Sequence, residues 1–564
     1  MAGASLFAGV ALLTLVAPFE LTEPLLRLPW QSVSNLEAAV LCAFACGAVA
    51  WIASGGQLEW RTPLTLPWAV LLLTMLVASV ASPVSRLNAF HMTGRFAAAF
   101  GVYLLAVNGL ATPARLRTML WLALAAGVLV SVLAILEYRG ARPVLTLLKA
   151  FRPWVTTVGA QVRAGGPLQY PTIASMYLEV VFACGLGLLL AERDAARGAG
   201  VVAVFIALVV IAEAITLTFT RAGLITMTTS LLFVGVTRRL QQGGDTGIAL
   251  LACLAVVIVG LFALSRSPES MWLRLTSEGQ ESWYRARFSA PSTLDLQTGR
   301  VTTVPIVVTN TGRLPWDSQA TPPTVISYHW LEADGDRFVA FEGARTSFAA
   351  PVLPDATIAL SMAVRAPRQP GQYRLEWDLV QEGRLWFSTE PGALRSMSAA
   401  TVTGEAFDAP VLTTPAPRLT VRPGRLVLWR AAAKMFVAHP LFGVGPDNFR
   451  LAYGAYAGLV GADERTHSNN MYLEMLAGGG LLVAAAFGWL LWRAASCAVA
   501  IARGAGHLGA PALGVAAALS AVAVHGSVDS FLGFAPTYVF FSLILGCAVA
   551  GARGAERWPD AHRV

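Results

Sequence analysis

Apolar residues run through this chain in long blocks, and that feature limits its fold more than any other. Blocks of roughly 17–25 residues are what an α-helix needs to cross a hydrocarbon core. Nine lie near 3–19, 36–54, 64–81, 94–110, 117–136, 172–190, 199–217, 222–236 and 247–264, and three more near 471–492, 511–527 and 534–553. Charged residues make up only 13% of the 564 residues, about half the share of an ordinary soluble domain. The pattern predicts an all-α membrane protein of about twelve transmembrane helices, the first being a true span and not a removed signal.

Arginine placement predicts orientation. With the N-terminus inside, the inner loops hold Arg61, Arg115, Arg117, Arg193, Arg197, Arg238, Arg239, Arg493 and Arg503. One outer loop, 137–171, breaks the pattern with Arg139, Arg142, Lys149, Arg152 and Arg163, and positive charge there suits an anion. The six cysteines all fall in or beside apolar blocks, without disulfide or zinc spacing. There is no phosphate-binding loop, nucleotide-sugar Asp-x-Asp motif or nucleic-acid signature, so no cofactor, metal or nucleic acid is expected.

Residues 283–403 change character. Alternating patterns such as Val304-Pro305-Ile306-Val307-Val308 and Tyr373-Arg374-Leu375-Glu376-Trp377 are separated by the turn signals Asn310-Thr311-Gly312, Asp334-Gly335-Asp336 and Gln369-Pro370-Gly371. Short strands at this spacing predict a β-sandwich of roughly 100 residues inserted in an extracytoplasmic loop. Its wording resembles an immunoglobulin-like accessory module. Trp316, Trp330, Trp377 and Trp386 are read as core residues ahead of sugar-stacking ones, and His329 as structural. A linker, Pro410 to Pro423, leads to a surface helix from Arg425 whose apolar stripe reads Leu426, Trp429, Ala433 and Phe436. The expected organisation is helices 1–9 in 1–265, the sandwich in 283–403, linker, surface helix and catalytic loop in 404–470, and the last three helices with a cytoplasmic tail in 471–564.

The chemistry concentrates at His467, in Thr466-His467-Ser468-Asn469-Asn470-Met471-Tyr472-Leu473-Glu474, just before a membrane helix. A histidine at that boundary can hold or move a proton. Residues Arg425 to Gly480, with Arg163-Ala164-Gly165-Gly166, Thr220-Arg221-Ala222-Gly223 and Val528-Asp529-Ser530-Phe531, resemble the O-antigen ligase and polymerase superfamily of membrane glycosyltransferases. The resemblance implies a GT-C-like fold and metal-independent, inverting transfer of a glycan from an undecaprenyl-diphosphate carrier. The acceptor is a hydroxyl of a glycan, of lipid A–core or of a protein, on the periplasmic side of a bacterial inner membrane. It implies His467 as acceptor base and Arg163, Arg221 and Arg425 as diphosphate ligands, since guanidinium binds phosphate bidentately. Asn469, Asn470 and Asp529 are candidates for holding the acceptor or orienting a partner. The Gly478-Gly479-Gly480 run permits two alignments, one placing His467 and the other Asn469 at the catalytic position. His439 is a weaker rival, and Arg152 competes with Arg163.

Ligase and polymerase share donor and chemistry, so the sequence leaves them open. Two other classes compete: a multi-span transporter, against which stand the lack of an internal repeat and of paired discontinuous helices, and a sugar-binding membrane protein. Glu179 and Glu213 lie inside apolar blocks, where ionisable groups are costly and often functional; either is a candidate to pair with an arginine, and neither is read as catalytic.

Overall fold

In the computed structural model the described residues are all but 1, 28–31, 56–57, 111, 153–155, 159–160, 266–282, 321–322, 336, 383–384, 390–392, 407–422, 460–461, 504–508 and 558–564. The linker 410–423 therefore lies almost wholly outside them. The chain forms two compact units, one of Met1–Thr156, Val162–Ser267 and Arg422–Val564, the other of Thr157–Gln161 and Pro268–Val421.

The first unit is helical. Its long helices are α1 (Ala2–Val16), α2 (Asn35–Ala53), α3 (Thr65–Val80), α4 (Arg86–Gly109), α5 (Pro113–Tyr138), α7 (Pro171–Asp194), α8 (Gly198–Leu217), α9 (Arg221–Gln242), α10 (Thr246–Ser265), α13 (Met471–Arg503), α14 (Gly509–His525) and α15 (Ala535–Arg557). Each apolar block thus lies on a helix. Among the described residues eight helices are long and apolar enough to cross a membrane, and α1, α3 and α14 are apolar but shorter. The remaining one, α9, is more polar, with Thr226, Ser230 and Arg238 on its buried face. Short helices α6 (Arg142–Leu148), α11 (Arg425–Ala438) and α12 (Phe449–Ala457) connect them.

Helix starts follow local chemistry. Ser34 and Glu37 form a reciprocal capping box on α2, Thr112 caps α5 ahead of Pro113, and Pro171 opens α7, where a missing N–H costs nothing. Helix α7 is the buried centre of the bundle. Its tightest neighbour is α14: a Cβ on Gly187 would lie 2.3 Å from the Ala510 carbonyl oxygen, and one on Gly514 2.7 Å from that of Cys184. Small residues at such a crossing let the two backbones meet, which brings Glu179 of α7 to His525 of α14.

One helix is broken. Gly480, inside α13, has φ 64° and ψ −164°, a conformation only glycine adopts cheaply. Residues 440–445 lie against the break: Val444 N–H donates to the Ala477 carbonyl (2.9 Å), Gly445 N–H to Gly478 (2.7 Å), and Leu481 N–H to Pro440 (2.8 Å). Backbone groups freed within a membrane-spanning helix are thereby satisfied by the protein itself. The discontinuity was not expected from the sequence, although the glycine triplet marks it.

Helix α11 buries Leu428, Ala431, Ala432 and Met435 against Val444, Phe449, Tyr453 and Ala477. The expected stripe is therefore corrected: Leu426 is exposed and Ala433 faces away from this core. The packing face uses two alanines, which permit close approach but add little apolar weight to a periodicity count.

The second unit is a two-sheet β structure whose strands run from Ala286 to Thr403. Three strands, Ala286–Ser289, Val301–Asn310 and Thr357–Arg365, form one sheet, with Val301–Asn310 in the middle. The larger sheet centres on Thr324–Glu332 and Gly371–Gln381, paired antiparallel with Trp377 opposite Tyr328. Both sheets feed one core, including Val304, Ile306, Met362, Tyr328, Trp377 and Leu379. Trp316, Trp330, Trp377 and Trp386 are all buried, so their faces are used in packing. His329 is buried too, 3.1 Å from Asp378.

Candidate functional site

His467 lies just before α13 with its ring 17% exposed. The cap of α13 places it: Asn470 Oδ1 accepts the Tyr472 and Leu473 N–H groups at 3.0 and 2.9 Å, while Asn470 Nδ2 donates to the Ser527 carbonyl at 2.8 Å. Asn470 is thus a helix cap tied to the α14–α15 connection. Asn469 occupies the left-handed turn position, φ 52°, that reverses the chain between His467 and the cap.

Glu474, one turn into α13, binds what the cap presents. Its Oε1 lies 3.2 Å from His467 Nδ1, and its Oε2 accepts the Ser468 N–H at 2.8 Å. An ionised carboxylate only accepts, so Nδ1 carries the hydrogen and Nε2 keeps a free lone pair. Desolvation pulls the His467 pKa down, but Glu474 and then Asp447 outweigh it and leave it above the ordinary imidazole value.

The ring borders a narrow recess of about 20 Å³, room for little more than one water-sized group. Asp447, Glu474, Ser530 and Gly533 are on its wall, and Met75, Met92 and Met475 line its apolar part. Asp447 has φ 62°, uncommon for a residue with a side chain. Its Oδ2 accepts from Asn88 Nδ2 (3.1 Å) and Arg450 Nε (3.0 Å), while Arg450 Nη2 donates to Asn88 Oδ1 (2.7 Å). Asn448 donates to Ser82 Oγ and the Ser85 carbonyl, both at 2.9 Å, fastening this loop to the start of α4.

A second histidine, His525, ends α14 just before Gly526, whose carbonyl accepts the Met471 N–H at 2.8 Å. His525 Nδ1 is 2.8 Å from Glu179 Oε2, Ser175 Oγ donates to Glu179 Oε1 at 2.5 Å, and His525 Nε2 is 3.9 Å from Asp529 Oδ2. Glu179 therefore pairs with a histidine where an arginine was the candidate partner. Burial pushes the Asp529 carboxyl up, but His525, the Ser530 N–H and Arg425 together hold it below the usual carboxylate range.

The three predicted basic residues are tied to this region in different ways. Arg425, at the first position of α11, acts electrostatically on Asp529. Arg221 opens α9, two residues before Gly223, whose Cβ would lie 3.1 Å from Glu179 Oε1. Arg163 Nε donates to the Thr218 carbonyl (2.9 Å) and Nη2 to Thr220 Oγ1 (3.3 Å), fixing it to the turn that carries Arg221. Phe219 in that turn has φ 51°. Arg152 does not compete: it is buried and paired with Glu137, which also accepts the Gly165 and Gly166 N–H groups at 3.0 and 2.9 Å. That pair instead shapes the loop behind Arg163. His439 is the C-cap of α11.

Residues 395–488 match a family model described as O-antigen ligase. Over those residues the match supports a relation to the O-antigen ligase and polymerase superfamily. The ligase match contains Arg425, Asp447, His467, Glu474 and the glycine triplet; Arg163, Arg221, Glu179, His525 and Asp529 lie outside it. No curated protein matches the chain. Several long apolar helices together with this ligase domain point to a multi-pass bacterial membrane protein.

Glu474, Asp447, Asn88 and the pairing of Glu179 with His525 were not singled out from the sequence. Glu474 stands in the quoted motif and was legible there. Asn88 and Asp447 are far apart in the chain and carry no local signal.

Proposed function

We propose that the protein transfers a glycan from an undecaprenyl-diphosphate carrier to a hydroxyl acceptor at the outer, periplasmic face of the bacterial cytoplasmic membrane. The observation that carries this reading is His467. Its Nδ1 is committed to Glu474, which leaves Nε2 to act as a base, and the residue borders a recess.

In this mechanism His467 Nε2 takes the proton as the acceptor oxygen attacks the anomeric carbon, the bond to the diphosphate breaks, and the configuration inverts. The leaving diphosphate gathers negative charge. Arg221 and Arg425, which make no hydrogen bond or ion pair among the described residues, would receive it together with Arg163. Fixed positive groups aimed where charge develops lower the barrier without reorganising during the step. Glu474 holds the ring in one orientation and stabilises the imidazolium that forms.

The test is a gene deletion complemented with wild type or His467→Ala, followed by gel analysis of surface polysaccharide. The variant is expected to insert normally and restore no transfer. Loss of capped lipopolysaccharide with accumulated long carrier-linked chains identifies a ligase; products of a single repeat identify a polymerase. Full restoration by His467→Ala refutes His467 as the base, and unchanged glycans in the deletion refute the reading as a whole.

A further inference from the structure

Resting on that reading, we propose that Glu137 is a positioning residue for the donor diphosphate: its carboxylate, locked to Arg152, sets where the loop carrying Arg163 stands. Glu137 lies in the last turn of α5 and is fully buried. An acidic side chain there opposes the helix dipole. A buried ion pair also adds little stability over apolar residues of the same volume, and Arg152 Nη1 is buried without a partner. Neither helix formation nor packing therefore accounts for the pair. What it holds does. Glu137 Oε1 binds Arg152, itself 4% exposed, while Oε2 accepts the N–H groups of Gly165 (3.0 Å) and Gly166 (2.9 Å). Arg152 Nε donates to the Gly166 carbonyl at 3.0 Å. Apolar side chains could fill this space but could not take up those backbone groups.

Both glycines serve that close approach. A Cβ on Gly165 would lie 3.0 Å from Arg152 Nη1, and one on Gly166, whose φ is 55°, would lie 3.1 Å from the Val130 carbonyl oxygen of α5. The two residues before them are tied to a different element. Ala164 N–H donates to the Leu217 carbonyl at 3.0 Å, and Arg163 reaches Thr218 and Thr220, the residue before Arg221. Residues 163–166 thus join the end of α5 to the turn between α8 and α9. Slack on the glycine side passes to a guanidinium only two residues away. A misplacement of about 1 Å in a positioning group can cost about 100-fold.

The experiment measures equilibrium binding of undecaprenyl diphosphate to the full-length protein in detergent, so that no acceptor is involved. Glu137→Leu with Arg152→Leu removes both charges together and orphans neither, but leaves Gly165 and Gly166 without their acceptor; Kd should rise about tenfold or more. Glu137→Gln with Arg152→Gln restores an acceptor and a donor without charge and should return Kd to within about threefold of wild type. Arg163→Ala should weaken binding by itself. Adding the leucine pair to it should change Kd by less than about twofold, because residues that act through one group are not additive. Gly165→Ala is the gentler probe should the leucine pair fail to insert: its methyl presses on the Arg152 guanidinium, and Kd should rise about threefold or more. Wild-type binding by the leucine pair or by Gly165→Ala overturns the inference, as does a glutamine pair no better than the leucine pair. The same fold-loss with and without Arg163 also overturns it, since that marks a general structural effect. Arg163→Ala with a wild-type Kd is a different failure, which removes the donor reading itself and this inference with it.

Discussion

Glu474→Gln tests the base most directly, because the carboxylate does two jobs that an amide cannot do together. Its two oxygens accept from two donors, His467 Nδ1–H and the Ser468 N–H. Glutamine offers one oxygen and one NH2 group. If the amide oxygen faces Ser468, the NH2 faces Nδ1, the ring hydrogen moves to Nε2, and the base is occupied. If the amide turns over, the Ser468 N–H loses its partner at a cost of about 1–3 kcal/mol, and the imidazolium loses its counter-charge. Either arrangement should lower kcat by about 10²–10⁴-fold.

The pH profile adds a readout that misfolding cannot imitate. Transfer needs neutral His467, so the rate rises with pH as the ring deprotonates. With Glu474 in place the limb lies above the ordinary 6.5. In Glu474→Gln the largest raising influence is gone, and desolvation and Arg450, acting downward, are opposed by Asp447 alone, so any residual activity should have its acidic limb shifted to lower pH. Initial rates of glycan transfer in proteoliposomes, taken across the imidazole titration range, measure both effects. A variant with wild-type kcat and an unmoved limb refutes the argument.

Three further outcomes follow from the same geometry. Arg221→Ala should raise the donor KM and lower transfer by about 10–100-fold, with Arg221→Lys intermediate, since lysine keeps the charge and loses the bidentate fork; donor titration checks it. Gly480→Ala should destabilise the protein by about 3–5 kcal/mol, because its Cβ would fall 2.4 Å from the Leu441 backbone at a positive φ; thermal unfolding in detergent and membrane yield report it. Glu179→Leu or His525→Leu alone should each cost about 3–5 kcal/mol by orphaning a buried charge, and the double variant should cost less than either. A double-mutant cycle with an additive result would show that the pair is not coupled.

How much of this was legible in the sequence depends on how far apart the cooperating residues lie. The helices could be read because a bilayer imposes a length on every apolar block, and all twelve blocks are helical. His467 could be read because an ionisable group at a helix mouth is costly unless used. Glu474 was within reach, seven residues along in the same motif, but its role depends on the turn at Asn469 and the cap at Asn470 that fold it back onto the ring. Asn88 and Asp447 are 359 positions apart, and Glu179 and His525 are 346 apart. No period or spacing links such pairs. The small-residue crossing of α7 and α14 brings the second pair together, and that crossing appears in the sequence only as Gly187 and Gly514.

The break in α13 explains why the site stands where it does. An unbroken helix from Met471 would present continuous side chains to residues 440–446 and hold them off. Gly478, Gly479 and Gly480 remove those side chains, so the backbone of 440–445 can hydrogen-bond to the opened turn, and Pro446 and Asp447 follow immediately into the recess. The glycines therefore place a carboxylate opposite a histidine borne by the same helix's cap. Unsatisfied backbone at this depth would cost several kcal/mol per group, so the loop and the break must form together. A substitution that closes the break should remove the site as well as stability: Gly480→Ala, rescued for folding by low temperature, should still fail to transfer. Recovery of both would show that the recess does not depend on the break.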